Sequence, residues 1–187
     1  MTDTTAHTAL EAGTWTLDPT HATIGFVARH MVFTKVRGTF TDYTATIEVP
    51  ADGDLTQAVA SATIQTASVN TGNDDRDTHL KSPDFFDVEQ YPTIEFRSTD
   101  ITMNDANHFS VTGDLTIKAV TKPITLTVEY GGVTASPWNT DVAGVSAHAE
   151  VDRRDWGLEW NMALDKGGVL VSEKITLELD FEAGKQG

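Results

Sequence analysis

Apolar and polar residues alternate along most of the chain from Trp15 onward. In residues 175–182, ITLELDFE, every second side chain is apolar and the positions between them are polar or acidic. A period of two is typical of a β-strand with one dry face and one wet face. The pattern recurs and predicts eight strands, at about 15–30, 36–49, 57–67, 93–101, 109–117, 124–130, 142–153 and 169–182.

Residues 70–90 interrupt this alternation. The run NDDRDTHL at 73–80 is acidic at its start, as helix N-termini prefer. Ser82-Pro83 looks like a capping residue followed by a first-turn proline. We therefore expect one or two short helices at about 70–90, lying across a barrel end or edge.

Eight amphipathic strands leave two sheet edges, and closure into a barrel removes them. We expect an all-β fold, a closed eight-stranded antiparallel barrel forming one domain over residues 14–183, after a flexible polar tail at 1–13. Such an interior is either filled by side chains or holds one small ligand. Small residues on two strands, if they face inward, favour a cavity; the alternative is dense packing against 70–90. These residues are Ala58, Ala60, Ala62 and Ile64 on strand three and Ala143, Val145, Ala147 and Ala149 on strand seven.

Charge and composition narrow the range of partners. The chain has 13 basic and 28 acidic residues, a net charge of −15, which disfavours binding to nucleic acid and to anionic membranes. It has no cysteine, hence no disulfide or thiolate site. With no secretory signal pattern and no apolar run near the roughly 18 residues of a membrane span, we expect a cytoplasmic protein without integral membrane contact. A homodimer is left open.

Catalytic motifs are missing from the sequence. It has no Gly-x-Ser-x-Gly, no phosphate-binding glycine loop and no His-Glu-x-x-His, and its six histidines lack metal-ligand spacing. Asn73, Asp75 and Asp77 match the first ligands of a calcium loop, but Thr78 stands where glycine is needed, so helix capping is the better interpretation. We predict no catalytic residue, no metal and no cofactor, although an acid–base enzyme stays open because carboxylates are plentiful.

Aromatic residues cluster around the break in the pattern, which suits an apolar pocket mouth. Together with inward-facing strand positions, they form our predicted ligand-binding set. The set comprises Phe26, Phe40, Ala60, Ala62, Phe85, Phe86, Tyr91, Phe96, Ala147, Trp156 and Trp160.

Two stretches of the chain lack acidic residues, one between Asp18 and Asp42 and one between Asp114 and Glu129. If their loops meet at one barrel end, they could bind an anionic head group such as a diphosphate. The alternative is that these residues keep sheet edges soluble. The predicted head-group residues are Arg29, His30, Lys35, Arg37, Lys118 and Lys122.

An ordered set of short motifs runs along the chain, in a match that covers about residues 14–182. It includes Trp15-x-Leu17-Asp18-Pro19-x-His21, Ile24-x-Phe26, Lys35-Val36-Arg37-Gly38-x-Phe40, Ser68-Val69-x-Thr71-Gly72, Arg76-Asp77-x-His79-Leu80-Lys81-Ser82, Asp84-Phe85-Phe86-Asp87, Tyr91-Pro92-x-Ile94-x-Phe96, Gly113-x-Leu115-Thr116-Ile117, Val120-Thr121-Lys122-Pro123, Arg154 and Gly157-Leu158. In this order they resemble the YceI-like family of lipid- and polyisoprenoid-binding, lipocalin-like barrels.

The resemblance implies a barrel that takes up a long isoprenoid or fatty chain and acts as a carrier or store. Trp156 stands where the family more commonly has phenylalanine, which implies a narrower pocket. The sequence-based hypothesis is therefore a non-catalytic binding protein for a polyisoprenoid, an isoprenoid quinone or a fatty chain. Two alternatives are kept, an enzyme acting on a small hydrophobic substrate and a ligand-free structural or stress protein.

Overall fold

The computed structural model describes residues 10–138 and 140–187. Most of the predicted tail, residues 1–9, lies outside the described residues. The rest of it packs on the barrel, because Leu10 is buried and the first strand begins at Gly13. None of the helices formed by the described residues is long and apolar enough to cross a membrane.

Ten strands and one α-helix make up the described chain, together with three short 3-10 turns. The strands are β1 (Gly13–His30), β2 (Thr34–Phe40), β3 (Tyr43–Val49), β4 (Val59–Gln65), β5 (Val69–Asn70), β6 (Thr93–Met103), β7 (His108–Ile117), β8 (Val120–Ala135), β9 (Asp141–Asp152) and β10 (Lys174–Lys185). The helix is α1 (Asp74–Lys81), and the 3-10 turns are Leu55–Gln57, Thr66–Ser68 and Arg153–Trp156.

All strand pairings are antiparallel, and they close into a ring. The ring runs β1–β3–β4–β6–β7–β8–β9–β10 and returns to β1 through the β10–β1 pairing. β2 and β3 are one predicted strand bent at residues 41–42, with β3 paired to the first half of β1 and β2 to the second half. The two-residue β5 pairs with β2. The prediction of a closed eight-stranded antiparallel barrel is confirmed.

Three predicted elements differ clearly from the structure. β8 runs from Val120 to Ala135 and is longer at both ends than the strand predicted at about 124–130. β10 starts at Lys174 rather than near 169, because residues 161–173 form turns. In these turns the Asn161 side-chain Nδ2 donates to the Val171 carbonyl (2.8 Å), and the Val171 N–H donates to Asn161 Oδ1 (3.1 Å). A second helix after Ser82 is not formed. Ser82 instead ends α1, since its backbone N–H and its hydroxyl both donate to the His79 carbonyl.

Helix α1 follows the capping rules that the sequence indicated. The Asn73 side chain accepts a hydrogen bond from the Arg76 N–H (2.9 Å), and three acidic residues occupy the first turn. Asp77 accepts from both the backbone N–H and the hydroxyl of Thr71, at 2.8 and 2.6 Å. Asn73 and Asp77 thus hold the loop before the helix rather than converge on a calcium ion.

Gly113 on β7 allows close packing across the β6–β7 pair. A Cβ at this position would lie 2.6 Å from the Arg97 carbonyl oxygen and in collision with the Phe96 ring. The aromatic ring therefore lies over the glycine, an arrangement that fills the space left by a missing side chain.

We expect Gly113→Ala to lower the free energy of unfolding by about 1–3 kcal/mol, because the backbone oxygen cannot turn away as a side chain could. The matched control is Gly144→Ala on β9, where an added Cβ would meet no atom within 4 Å. That change should leave stability unchanged or raise it by up to about 1 kcal/mol. Urea unfolding of both variants measures the difference, and equal effects would contradict the close approach.

Candidate functional site

The barrel interior contains two apolar chambers stacked along its axis. The Trp15 chamber, about 160 Å³, lies towards the end where β1 starts, and the Trp156 chamber, about 190 Å³, lies towards the end covered by residues 80–88. Six residues line both chambers and form what we call the waist. They are Ile24, Ala62, Ile64, Phe96, Leu126 and Leu179.

Strand alternation explains why these walls are apolar. Ala58, just before β4, and Ala60 and Ala62 on β4 line the Trp15 chamber, and β9 contributes Val145 and Ala147 to the same lining. Ile64 lines both chambers, whereas Ala143 and Ala149, the other two members of the predicted β9 face, are buried but line neither chamber in the described chain. Because the alanine side chains of the lining are short, space remains between walls that larger residues would fill.

Nine of the eleven residues in the predicted ligand set line a chamber. Ala60 and Ala147 belong to the Trp15 chamber, and Ala62 and Phe96 belong to the waist. The remaining five belong to the Trp156 chamber, namely Phe26, Phe40, Phe85, Phe86 and Trp156.

Tyr91 and Trp160 line neither chamber among the described residues. Tyr91 offers its backbone carbonyl to the buried Thr66 hydroxyl (2.8 Å). Trp160 packs outside Phe85, with ring centroids 5.5 Å apart, and against His79 at 4.5 Å. Its contact is therefore with the cover of the chamber rather than with the cavity.

The segment after α1 closes the Trp156 chamber with two aromatic side chains. Phe85 and Phe86 are buried, and Phe86 meets Phe40 edge-on at 5.7 Å. Phe85 is covered on its outer side by Trp160. The closing segment is held by local backbone bonds, such as Phe86 N–H to the Leu80 carbonyl (2.9 Å).

Trp156 lines the same chamber next to Phe85 and Phe86. It is 2% exposed, and its indole N–H donates to the Leu115 carbonyl at 3.0 Å. The 3-10 turn Arg153–Trp156 positions it, with the Asp152 carboxylate capping the turn through the Arg154 N–H (3.0 Å). Hydrogen bonds from Arg154 help to lower the pKa of Asp152 to about 2, so this cap stays ionised at neutral pH.

Two tyrosines are the only ionisable residues that line the Trp15 chamber among the described residues. The Tyr43 hydroxyl donates to the Ala22 carbonyl (3.1 Å), and burial raises its pKa. Burial also raises the pKa of Tyr130 to about 12. Both phenols therefore remain protonated and uncharged at neutral pH.

Arg153 is the only charged residue in the lining of the Trp156 chamber within 10–138 and 140–187. Its side chain is 6% exposed, its Nε donates to the Ser172 carbonyl (2.9 Å) and its Nη1 donates to the Leu158 carbonyl. The sequence analysis missed it and singled out Arg154, which is exposed and pairs with Asp152 and Glu173. The signal was present, because the inward alternation of β9 through Val151 extends to position 153.

None of the predicted head-group residues lines a chamber in the described chain. Arg29, His30, Lys35, Arg37 and Lys122 are exposed, and Lys118 is half-buried. Arg37 approaches Glu178 at 3.7 Å, and Lys118 approaches the Pro83 carbonyl at 3.5 Å. A head-group site made by these residues stays a prediction.

One cluster of possible metal ligands occurs on the outer surface of the described chain, made of Asp18, His21 and Glu182. His21 Nδ1 lies 2.9 Å from Asp18 and 3.8 Å from Glu182, and the histidine and Thr20 lower the pKa of Asp18 to about 2. All three side chains are at least 41% exposed. Hydrogen bonding and charge within the cluster account for its geometry.

Known proteins match this chain over nearly its whole length. The family model of the YceI-like domain matches residues 15–183. A UPF0312 protein of Staphylococcus aureus is 35% identical over 169 residues, covering 90% of this chain and 95% of the relative.

Solved structures share the fold. The YCEI protein of Campylobacter jejuni is 30% identical, with a TM-score of 0.72 and coverage of 85% of this chain and 90% of that one. BcnA of Burkholderia cenocepacia gives a TM-score of 0.77 at 21% identity, covering 89% and 98%. A domain of Saccharophagus degradans described as polyisoprenoid-binding gives 0.69 at 15% identity, covering 92% and 98%. With a family model matched from residue 15 to residue 183 and this barrel around an apolar interior, the chain belongs to the YceI-like family.

Proposed function

We propose that this protein is a non-catalytic carrier that holds one long apolar lipid, an isoprenoid or another long chain, inside the barrel. The observation that carries the proposal is the pair of apolar chambers that share the six-residue waist. Two chambers in line suit an elongated ligand better than a compact one. Binding is driven by removal of apolar surface from water, at about 25 cal/mol per Å².

The family supports the same class of ligand, since one structural neighbour is described as a polyisoprenoid-binding domain. An enzyme acting in this cavity would need a group that can transfer protons at neutral pH. No aspartate, glutamate or histidine lines either chamber in the described chain. This composition favours binding over acid–base chemistry. The cytoplasmic location and the homodimer stay predictions.

The test is native mass spectrometry of the purified protein, followed by organic extraction and rebinding of a prenyl alcohol of about four units. We expect a bound species of lipid mass that is released by the solvent, and saturable 1:1 rebinding by the delipidated protein. A protein that carries nothing and takes up neither prenyl nor straight-chain probes would contradict the proposal and favour the ligand-free structural alternative. Turnover of the probe would favour the enzyme.

The closing segment is expected to respond to the ligand. Lids are drawn from elements of low local stability, and α1 buries none of its own residues. We expect the amides of Phe85, Phe86 and Val88 to exchange faster than those of β7 in the empty protein and to become protected when lipid binds. Hydrogen exchange with and without lipid measures this, and equal protection in both states would show a static plug.

A further inference from the structure

Arg153 has one donor group left over inside the barrel. Its Nε and Nη1 are taken by backbone carbonyls of Ser172 and Leu158. Its Nη2 is buried and has no hydrogen-bond acceptor among the described residues. A buried donor without an acceptor costs about 1–3 kcal/mol, and more when the group is charged. The residue lines the Trp156 chamber, so a ligand there can reach it.

The positive charge of Arg153 is also without a close counter-charge. No carboxylate in residues 10–138 and 140–187 lies within 4.0 Å of its guanidinium, whereas the neighbouring Arg154 has two, from Asp152 and Glu173. Burial lowers the pKa of Arg153, and the charges of Glu173 and Asp152 only partly offset this. The side chain nevertheless remains protonated at neutral pH, because an arginine pKa lies so far above 7. A buried charge of this kind is stabilised when an anion is brought to it.

We propose that Arg153 binds the polar end of the ligand and that this end is a carboxylate, so that the protein takes up long-chain carboxylic acids. The inference rests on the proposed function, because it assigns the orientation and head group of a chain held in the same cavity. The carboxylate accepts hydrogen bonds from Nη2 beside Phe85, whose ring centroid lies 5.9 Å from the guanidinium carbon. The tail then passes the waist into the Trp15 chamber.

The surroundings of Arg153 decide between head groups. A diphosphate has several charged oxygens, and one free nitrogen in an otherwise apolar chamber leaves most of them without donors. A neutral carbonyl accepts a hydrogen bond but leaves the arginine charge uncompensated. A carboxylate has one negative charge and two acceptor oxygens. These match the single positive charge of Arg153 and the N–H groups of its unpaired Nη2.

The backbone contacts of Arg153 make this donor rigid. The carbonyls of Ser172 and Leu158 belong to the two sides of the connection between β9 and β10. They hold the guanidinium in place before any ligand arrives, and a preorganised donor loses little freedom on binding. We therefore expect the acid preference to be a property of the empty barrel rather than of a rearranged one.

The test compares hexadecanoic acid with hexadecanol on the delipidated full-length protein at pH 7.5. These probes have equal chain length and differ at the head. The wild type should bind the acid at least tenfold more tightly, and Arg153→Met should remove this preference while still binding the alcohol. The matched control is Arg97→Met, which makes the same charge change at an exposed site on β6 that lines neither chamber. It should keep the preference.

A second measurement covers the case in which Arg153→Met does not fold. Hexadecanoic acid labelled with ¹³C at the carboxyl carbon is bound to the wild type and titrated by NMR from pH 8 to pH 4. Next to Arg153, the bound carboxylate should stay ionised below the pH at which the acid protonates in detergent micelles. A carboxyl group that protonates at a higher pH than in micelles would overturn the inference.

Three outcomes separate this inference from the proposed function. Equal binding of acid and alcohol by the wild type removes the role of Arg153 and leaves the carrier intact. Tighter binding of a prenyl diphosphate than of the acid moves the head group to the exposed basic residues. Failure of every apolar probe to bind contradicts the carrier itself.

Discussion

Replacing Ala62 with phenylalanine is expected to narrow the barrel between the two chambers and to weaken the binding of long chains. Ala62 lies in the waist and pairs with Ala45 on one side and with Phe96 on the other. A phenyl ring at this position occupies the space through which an extended chain passes. We expect binding of a C16 or a four-unit prenyl alcohol to weaken more than tenfold, while octanol, which fits into one chamber, binds as before.

The fold should survive this change. Overpacking of a dense core costs about 1–3 kcal/mol, and a ring that fills an existing cavity should cost less. The matched control is Thr63→Phe, one residue along β4, which lines neither chamber and should leave binding of both alcohols unchanged. Fluorescence displacement titrations with the two chain lengths measure the effect. Unaltered long-chain binding by a folded Ala62→Phe protein would contradict a ligand that spans both chambers.

Among the substitutions considered for this protein, Trp156→Ala is expected to lower the free energy of unfolding most. The side chain is 2% exposed, packs in the cluster around Phe40 and Phe86, and bonds the Leu115 carbonyl. Removal of a buried tryptophan costs about 3–5 kcal/mol. For a domain of this size, that loss corresponds to a thermal unfolding midpoint lowered by about 6–20 °C.

The control for this change is Trp138→Ala, because Trp138 is 81% exposed and its removal should alter stability by less than about 0.5 kcal/mol. A long-chain ligand should recover part of the loss in Trp156→Ala, since it binds only the folded state. Thermal unfolding with and without ligand measures both effects. A Trp156→Ala protein as stable as Trp138→Ala would show that Trp156 does not support the barrel.

The barrel was predictable because period-two alternation is a local property of sequence. The alternation within one strand, such as ITLELDFE in β10, indicates which face of that strand is buried, and no other strand is needed for this prediction. Closure then follows from the need to remove sheet edges. The short side chains of β4 and β9 favoured a cavity but left dense packing open, because side-chain volume is readable at each position while the inward face is not.

The sequence by itself therefore determined the barrel, the capped helix and the apolar walls. Only the tertiary structure decided that residues 161–173 form turns, that Tyr91 and Trp160 lie outside the cavity, and that Arg153 lies inside it with one donor unsatisfied. The physical reason is that these properties depend on partners distant in the chain. The side chain of Arg153 is held by the backbone carbonyls of Ser172 and Leu158, 19 and 5 residues further along the chain. The free-energy cost of burying its charge depends on the distance to the nearest carboxylates. A local pattern of residues contains neither piece of information.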